Sequence, residues 1–231
     1  MLQYLKDFVS LLYPEVCLCC GEGLVKQEEF VCTTCMFKLP KTNFHLQPDN
    51  VLANTFIGRV DITTAAAYCY YQKEGMVQDL VHQLKYNGKK ELGNHLGKWY
   101  GQDLKQAEPF SRVEVVIPVP LHKLKQRKRG YNQSAQFATG LAQSMSIECC
   151  EDVLIRVKNS ETQTNKTRYE RWENVKDIFG IQNKERIEGK HVLLVDDIVT
   201  TGATTEACSH ALRSAGVASL CVASIGFTNI V

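Results

Sequence analysis

Residues 191–205 read HVLLVDDIVTTGATT. From Val192 to Val195 the run is continuously apolar, the pattern of a strand buried on both faces of a parallel sheet. Two adjacent acids, Asp196 and Asp197, stand at the end of the strand expected over His191 to Val195. Thr200, Thr201, Gly202, Ala203 and Thr204 then lead into a helix expected from Thr204 to Ala215. In open α/β sheets, ligands sit off the carboxyl ends of the strands. Small residues let successive backbone N–H groups close around an anion, and a helix start adds the positive end of its dipole. Ionised carboxylates only accept hydrogen bonds, which suits a vicinal diol. From Asp197 to the loop is only a few residues, about 10 Å at full extension. One ribose 5-phosphate can therefore span them, with its hydroxyls on Asp196 and Asp197 and its phosphate on the loop. Two solvated acids followed by a capped helix would explain each piece, but not their succession. The pattern GxxxxGK[ST] is absent, which counts against a P-loop NTPase.

Outward from this stretch, strands and helices alternate. Ala65 to Tyr71 reads as a strand, and Met76, Val77, Leu80, Val81 and Leu84 keep helical spacing up to Asn87-Gly88. A helix is expected from Leu92 to Leu104, a β-branched strand from Val113 to Val119, and a helix from Gln133 to Met145. Val217 to Ile225 is the last expected strand. Alternation of this kind means an α/β domain with a parallel sheet covered by helices. Arg156 to Phe179 is polar, charged and without a clear period, and reads as a mobile excursion able to close over a site.

The 231 residues, 44% hydrophobic and 23% charged, exclude a disordered chain, a collagen repeat and a coiled-coil rod. No apolar run approaches the roughly 20 residues of a spanning helix, so no membrane insertion is expected. The formal net charge of +2 is too small to point to nucleic acid, leaving only local clusters to do so. The leading residues form a short amphipathic pattern (Leu2, Leu5, Val9, Leu12) stopped by Pro14, with no basic leading region and no cleavage site. The expected location is the cytoplasm.

That compartment is reducing, so the ten cysteines are not expected to form a disulfide framework. Cys17-x2-Cys20 and Cys32-x2-Cys35 have the spacing of two zinc knuckles, which together complete a tetrahedral thiolate shell. Free thiols or a redox pair are the competing readings. Cys19 is wrongly spaced from Cys17 for the same turn. Four thiolates would close the shell, so a structural zinc with no catalytic role is expected. A polar stretch follows, and the expected division is a head at 1–40, a linker at 41–54 and the α/β domain at 55–231.

With these pieces assembled, the chain resembles the type I phosphoribosyltransferases, whose phosphoribosyl pyrophosphate (PRPP) motif the 191–205 stretch matches. Within that superfamily it resembles the competence-associated ComF family. The resemblance is carried by Leu11-Leu12-Tyr13-Pro14 before the cysteine head and by Leu84-Lys85-Tyr86. It is carried further by Pro118 to His122, by Arg129 to Gln133, by Thr162-Gln163, and by Arg171 to Asn174 before Phe179.

The resemblance implies that the turn at Val119, Pro120 and Leu121 binds pyrophosphate, helped by Arg127 and Arg129 of the adjacent basic run. It also implies magnesium bound with PRPP, and displacement of pyrophosphate at the anomeric carbon by an unidentified acceptor nitrogen. His122 is a candidate general base, or an exposed histidine with no role. A link to DNA uptake in natural transformation follows from the same resemblance, with single-stranded DNA and an uptake helicase as partners. Lys123, Lys125, Lys128 and Tyr131 pair cations with an aromatic ring, as strand binding requires, and Thr167 to Trp172 interleaves arginines with aromatics. A solvated basic helix face with core aromatics fits the same residues. Two functions thus stand: a phosphoribosyltransferase, or a non-catalytic module that binds single-stranded DNA or senses nucleotides.

Overall fold

The computed structural model describes residues 15–157 and 178–228. The amphipathic pattern ahead of Pro14, Thr162-Gln163, the Thr167 to Trp172 run and Arg171 to Asn174 lie outside the described residues, as does most of the expected excursion.

Five strands run parallel in the order β1-β7-β6-β2-β3. They are β1 (Thr64–Tyr70), β2 (Val115–Pro118), β3 (Glu148–Cys149), β6 (His191–Val199) and β7 (Ser219–Phe227). The antiparallel pair β4 (Leu154–Arg156) and β5 (Phe179–Ile181) stands apart from this sheet. The central strands carry the apolar, β-branched runs. Val192 to Val195 and Val115 to Ile117 are fully buried because helices cover both sheet faces.

Among the described residues the helices are α1 (Thr33–Lys38), α2 (Val51–Asn54), α3 (Met76–Tyr86), α4 (Lys90–Leu104), α5 (Lys123–Arg129), α6 (Gln133–Met145) and α7 (Ala203–Ser214). Their buried residues fall at the spacings read from the sequence, as with Val77, Leu80, Val81 and Leu84 on α3. Helices α4 and α6 approach unusually closely. A Cβ on Gly97 would collide with the Phe137 carbonyl oxygen, and one on Gly140 with that of Asn94.

Two expectations are corrected. The strand carrying the acids does not end at Val195: its ladder with β7 continues through Asp196↔Ser224 and Ile198↔Gly226 to Val199↔Phe227. The apolar pattern stops at the acids, but the backbone pairing does not depend on it. The segment 41–54 is not a bare linker. It holds a short 3-10 turn (Phe44–Leu46) and α2, and it buries Thr42, Phe44, His45, Asn50 and Leu52. With Pro40 just before it, the segment meets the open edge of β1: Tyr70 N–H donates to the Pro40 carbonyl at 2.8 Å, and Thr42 N–H donates to that of Tyr68 at 3.1 Å. The Asn50 amide donates to Ala65 O at 2.9 Å, while its Oδ1 caps α2 through the N–H groups of Leu52 and Ala53.

The cysteine head rests on the sheet domain. The Phe30 ring meets His95 of α4 edge-on at 5.5 Å, Glu29 pairs with His95 at 3.1 Å, and the Tyr68 hydroxyl reaches Met36 Sδ at 3.7 Å. Among the described residues, no helix is long and apolar enough to cross a membrane.

Candidate functional site

The site forms where β2 and β6 end side by side. Pro118 is in register with Val195, and Val119 N–H donates to Val195 O at 2.8 Å. The Val119-Pro120 turn therefore emerges beside the acids. Neighbouring side chains on a strand face opposite ways, so the two carboxylates have different surroundings. Asp196 is 9% exposed. Its Oδ1 accepts from Ser134 Oγ at 3.1 Å and from Asp197 N–H at 2.8 Å. Burial and the neighbouring Asp197 carboxylate push the Asp196 carboxyl up to about 7, against the pull of those hydrogen bonds. Asp197 is half-buried. Its Oδ1 accepts from Ile198 N–H at 2.6 Å, and its Oδ2 pairs with Lys85 Nζ of α3 at 2.7 Å.

The loop after β6 turns outward. Thr200, Thr201, Ala203 and Thr204 are exposed, while Gly202 is buried with φ +75°. Gly202 caps α7, whose first N–H groups have no partner within the helix. The loop is braced from below. The Phe56 ring packs against Gly202, and Arg59 Nη1 donates to Thr201 O at 2.9 Å while its Nε donates to Glu206 Oε2 at 3.0 Å.

On the other side, α5 carries Lys123, Lys125, Arg127 and Lys128 exposed to solvent, and no residue of this helix is buried. Arg129 differs from them: its Nη1 donates to Gln133 Oε1 at 2.9 Å, and its guanidinium lies 5.3 Å from the centre of the Tyr86 ring. The Tyr131 hydroxyl donates to Leu84 O. His122 uses Nδ1 to cap α5, accepting from Leu124 N–H at 3.2 Å. Asn132 ties the region together, donating to Val119 O at 2.9 Å and accepting from Ser134 N–H at 3.1 Å.

The structure thus brings Asp196, Asp197 and the Val119-Pro120 turn to one edge, with the Thr200–Thr204 loop continuing from the same strand. Arg129 and Tyr131 are anchored to the end of α3, and the remaining α5 cations point into water. The site also contains residues that sequence reasoning did not assign to it: Lys85, Ser134, Phe56 and Arg59. Lys85 sits within the Leu-Lys-Tyr step, and Ser134 follows the helix-capping Asn132. Their roles follow from spatial proximity, which no spacing in the sequence encodes.

The four sulfurs of Cys17, Cys20, Cys32 and Cys35 lie within 4.8 Å of one another, and Cys20 and Cys32 Sγ are 3.7 Å apart. A tetrahedron of thiolates at a Zn–S bond of about 2.3 Å has edges of about 3.8 Å, so the set fits zinc. Backbone N–H groups point at the sulfurs: Cys32 N–H to Cys17 Sγ at 3.3 Å, and Cys35 N–H to Cys32 Sγ at 3.4 Å. Burial works to raise the Cys17 thiol, but the N–H groups of Cys32, Cys19 and Cys20 outweigh it and hold it down at about 6. Cys19 stands outside the cluster, and burial pushes its thiol up to about 12.

Residues 132–227 match the phosphoribosyl transferase domain. The chain is 34% identical over 117 residues to competence protein F of Haemophilus influenzae, covering 50% of this chain and 51% of that protein. It is 29% identical over 144 residues to the DNA utilization protein YhgH of Salmonella typhimurium, covering 61% of this chain and 63% of that one. The chain therefore spans between half and two thirds of the length of these relatives. Among solved structures it is similar to the glutamine PRPP amidotransferase of B. subtilis complexed with ADP and GMP. The identity is 24% and the TM-score 0.43, over 59% of this chain and 26% of that one. With a match to the phosphoribosyl transferase domain over residues 132–227, a parallel sheet and a four-cysteine cluster, the chain is similar to the competence and DNA utilization proteins of these bacteria.

Proposed function

We propose that the chain binds PRPP and transfers its phosphoribosyl group to an acceptor nitrogen, in the cytoplasm and in the service of DNA uptake. One observation carries the reading: a partly buried carboxylate pair and an outward-facing small-residue loop follow one another on β6 and α7, inside the phosphoribosyl transferase domain. Asp196 and Asp197 would accept from the ribose hydroxyls, and the N–H groups and hydroxyls of Thr200 to Thr204 would hold the 5-phosphate. The Val119-Pro120 turn and Arg129 would receive the pyrophosphate, which suits a guanidinium. The bond from the anomeric carbon to pyrophosphate breaks, a bond to the acceptor nitrogen forms, and that nitrogen loses a proton.

The acid pair offers hard oxygen donors, which fit magnesium shared with ligand oxygens. Bound there, the ion would neutralise charge on the leaving group. Zinc on Cys17, Cys20, Cys32 and Cys35 would stabilise the head, where the core is small. Incubation with PRPP, magnesium and a panel of nucleobases and amines should release pyrophosphate faster than the Asp196→Asn, Asp197→Asn variant does. Equal release from both proteins would reject the reading.

The second reading, a module that binds single-stranded DNA, is favoured by the exposure of Lys123, Lys125, Arg127 and Lys128 on one short helix. It requires affinity that falls steeply with salt. A salt-insensitive signal, or no signal, would reject it.

A further inference from the structure

Lys85 has been given no role toward a ligand so far, yet its ammonium lies 2.7 Å from Asp197 Oδ2, with side-chain exposures of 21% and 17%. The residues on either side of it are fixed to the opposite wall. Leu84 O accepts from the Tyr131 hydroxyl, and the Tyr86 ring lies under the Arg129 guanidinium. The last turn of α3 therefore spans the gap between the ribose-facing acid and the segment proposed to receive pyrophosphate, and Lys85 is the cation at its centre. A lysine ammonium has three donors on a flexible four-carbon stem, so it can change partners without moving the helix. A vicinal diol that takes the Asp197 carboxylate competes for the same oxygens.

We propose that Lys85 contacts the ligand: it pairs with Asp197 and passes to the pyrophosphate oxygens when the ribose hydroxyls occupy that carboxylate. This rests on the ribose-phosphate reading above. It makes Lys85 a residue that distinguishes PRPP from ribose 5-phosphate, because only PRPP carries phosphate on the anomeric side. A lysine that merely ties α3 to β6 would not discriminate between the two.

Calorimetric titration of PRPP and of ribose 5-phosphate into the wild type, Lys85→Met and Lys85→Gln tests the assignment, with melting curves to verify folding. Loss of a charge-assisted contact should weaken PRPP by about tenfold or more in both variants. Ribose 5-phosphate should stay within about threefold, or bind more tightly, since a competitor for Asp197 has gone. Equal weakening of both ligands would overturn the proposal, as would unchanged PRPP affinity in whichever variant folds. A wild type that binds neither sugar phosphate would overturn the ribose-phosphate reading, and this one with it.

Discussion

Gly202→Ala tests how the phosphate loop is held. Gly202 has φ +75°, and a Cβ built there meets Phe56 Cε1 at 2.9 Å and Cζ at 3.1 Å. The left-handed backbone costs an L-residue about 1–2 kcal/mol. The collision adds about 1–3 kcal/mol, because the buried Phe56 ring must shift to admit the new methyl group. A total of about 3 kcal/mol should lower the melting temperature by about 6–12 °C in a chain of this length. The loop must also shift, so affinity for a sugar phosphate should fall. A second substitution separates the two contributions: Phe56→Leu removes ring atoms, so in the Gly202→Ala background it should cost less than it does alone. Differential scanning calorimetry of the four proteins gives the comparison. A Gly202→Ala melting temperature within about 1 °C of wild type would refute the reasoning, and strict additivity would refute the contact with Phe56.

The four-cysteine cluster predicts one zinc per chain by metal analysis. Cys20→Ser should lose the zinc, whereas Cys19→Ser, outside the cluster, should keep it. Asp196 holds its proton in the folded chain up to a pH of about 7, whereas an unfolded aspartate releases it near about 3.9. The folded state thus binds more protons across that window, so stability should fall as pH rises from about 4 to about 7 and level off above. Thermal melts should show this slope in the wild type and a flatter one in Asp196→Asn. Arg59→Gln removes the brace on Thr201. Its ion pair with Glu206 is partly exposed, so stability should change by no more than about 1 kcal/mol. Affinity for ribose 5-phosphate should fall several-fold in the same variant.

Much of the architecture was legible in the sequence because it rests on periodicity. Gln133–Met145 forms the expected helix, and the apolar runs of β2 and β6 lie at the sheet centre. The cysteine cluster was legible for a different reason: two tight turns at fixed spacing leave few ways to place four thiolates. What pattern could not show depends on partners distant in the chain. β6 continues through two acids because β7 supplies its hydrogen bonds. Residues 41–54 look like a spacer because they are polar, yet the polar groups of Thr42 and Asn50 bond to β1. The acids themselves were plain in the sequence. Their partners Ser134 and Lys85 arrive on α6 and α3, and only the folded chain brings them within 3.1 and 2.7 Å. Tyr131, an aromatic beside a basic run, proves to be tied to the end of α3 through Leu84.

Calorimetric titration of ribose 5-phosphate and PRPP, with magnesium supplied, into the wild type and the Asp196→Asn, Asp197→Asn variant tests the acid pair and loop most directly. The wild type should bind each ligand saturably at one site per chain, and the variant should lose that binding while keeping its fold. A flat wild-type titration, or a variant that binds as tightly as the wild type, would contradict the account.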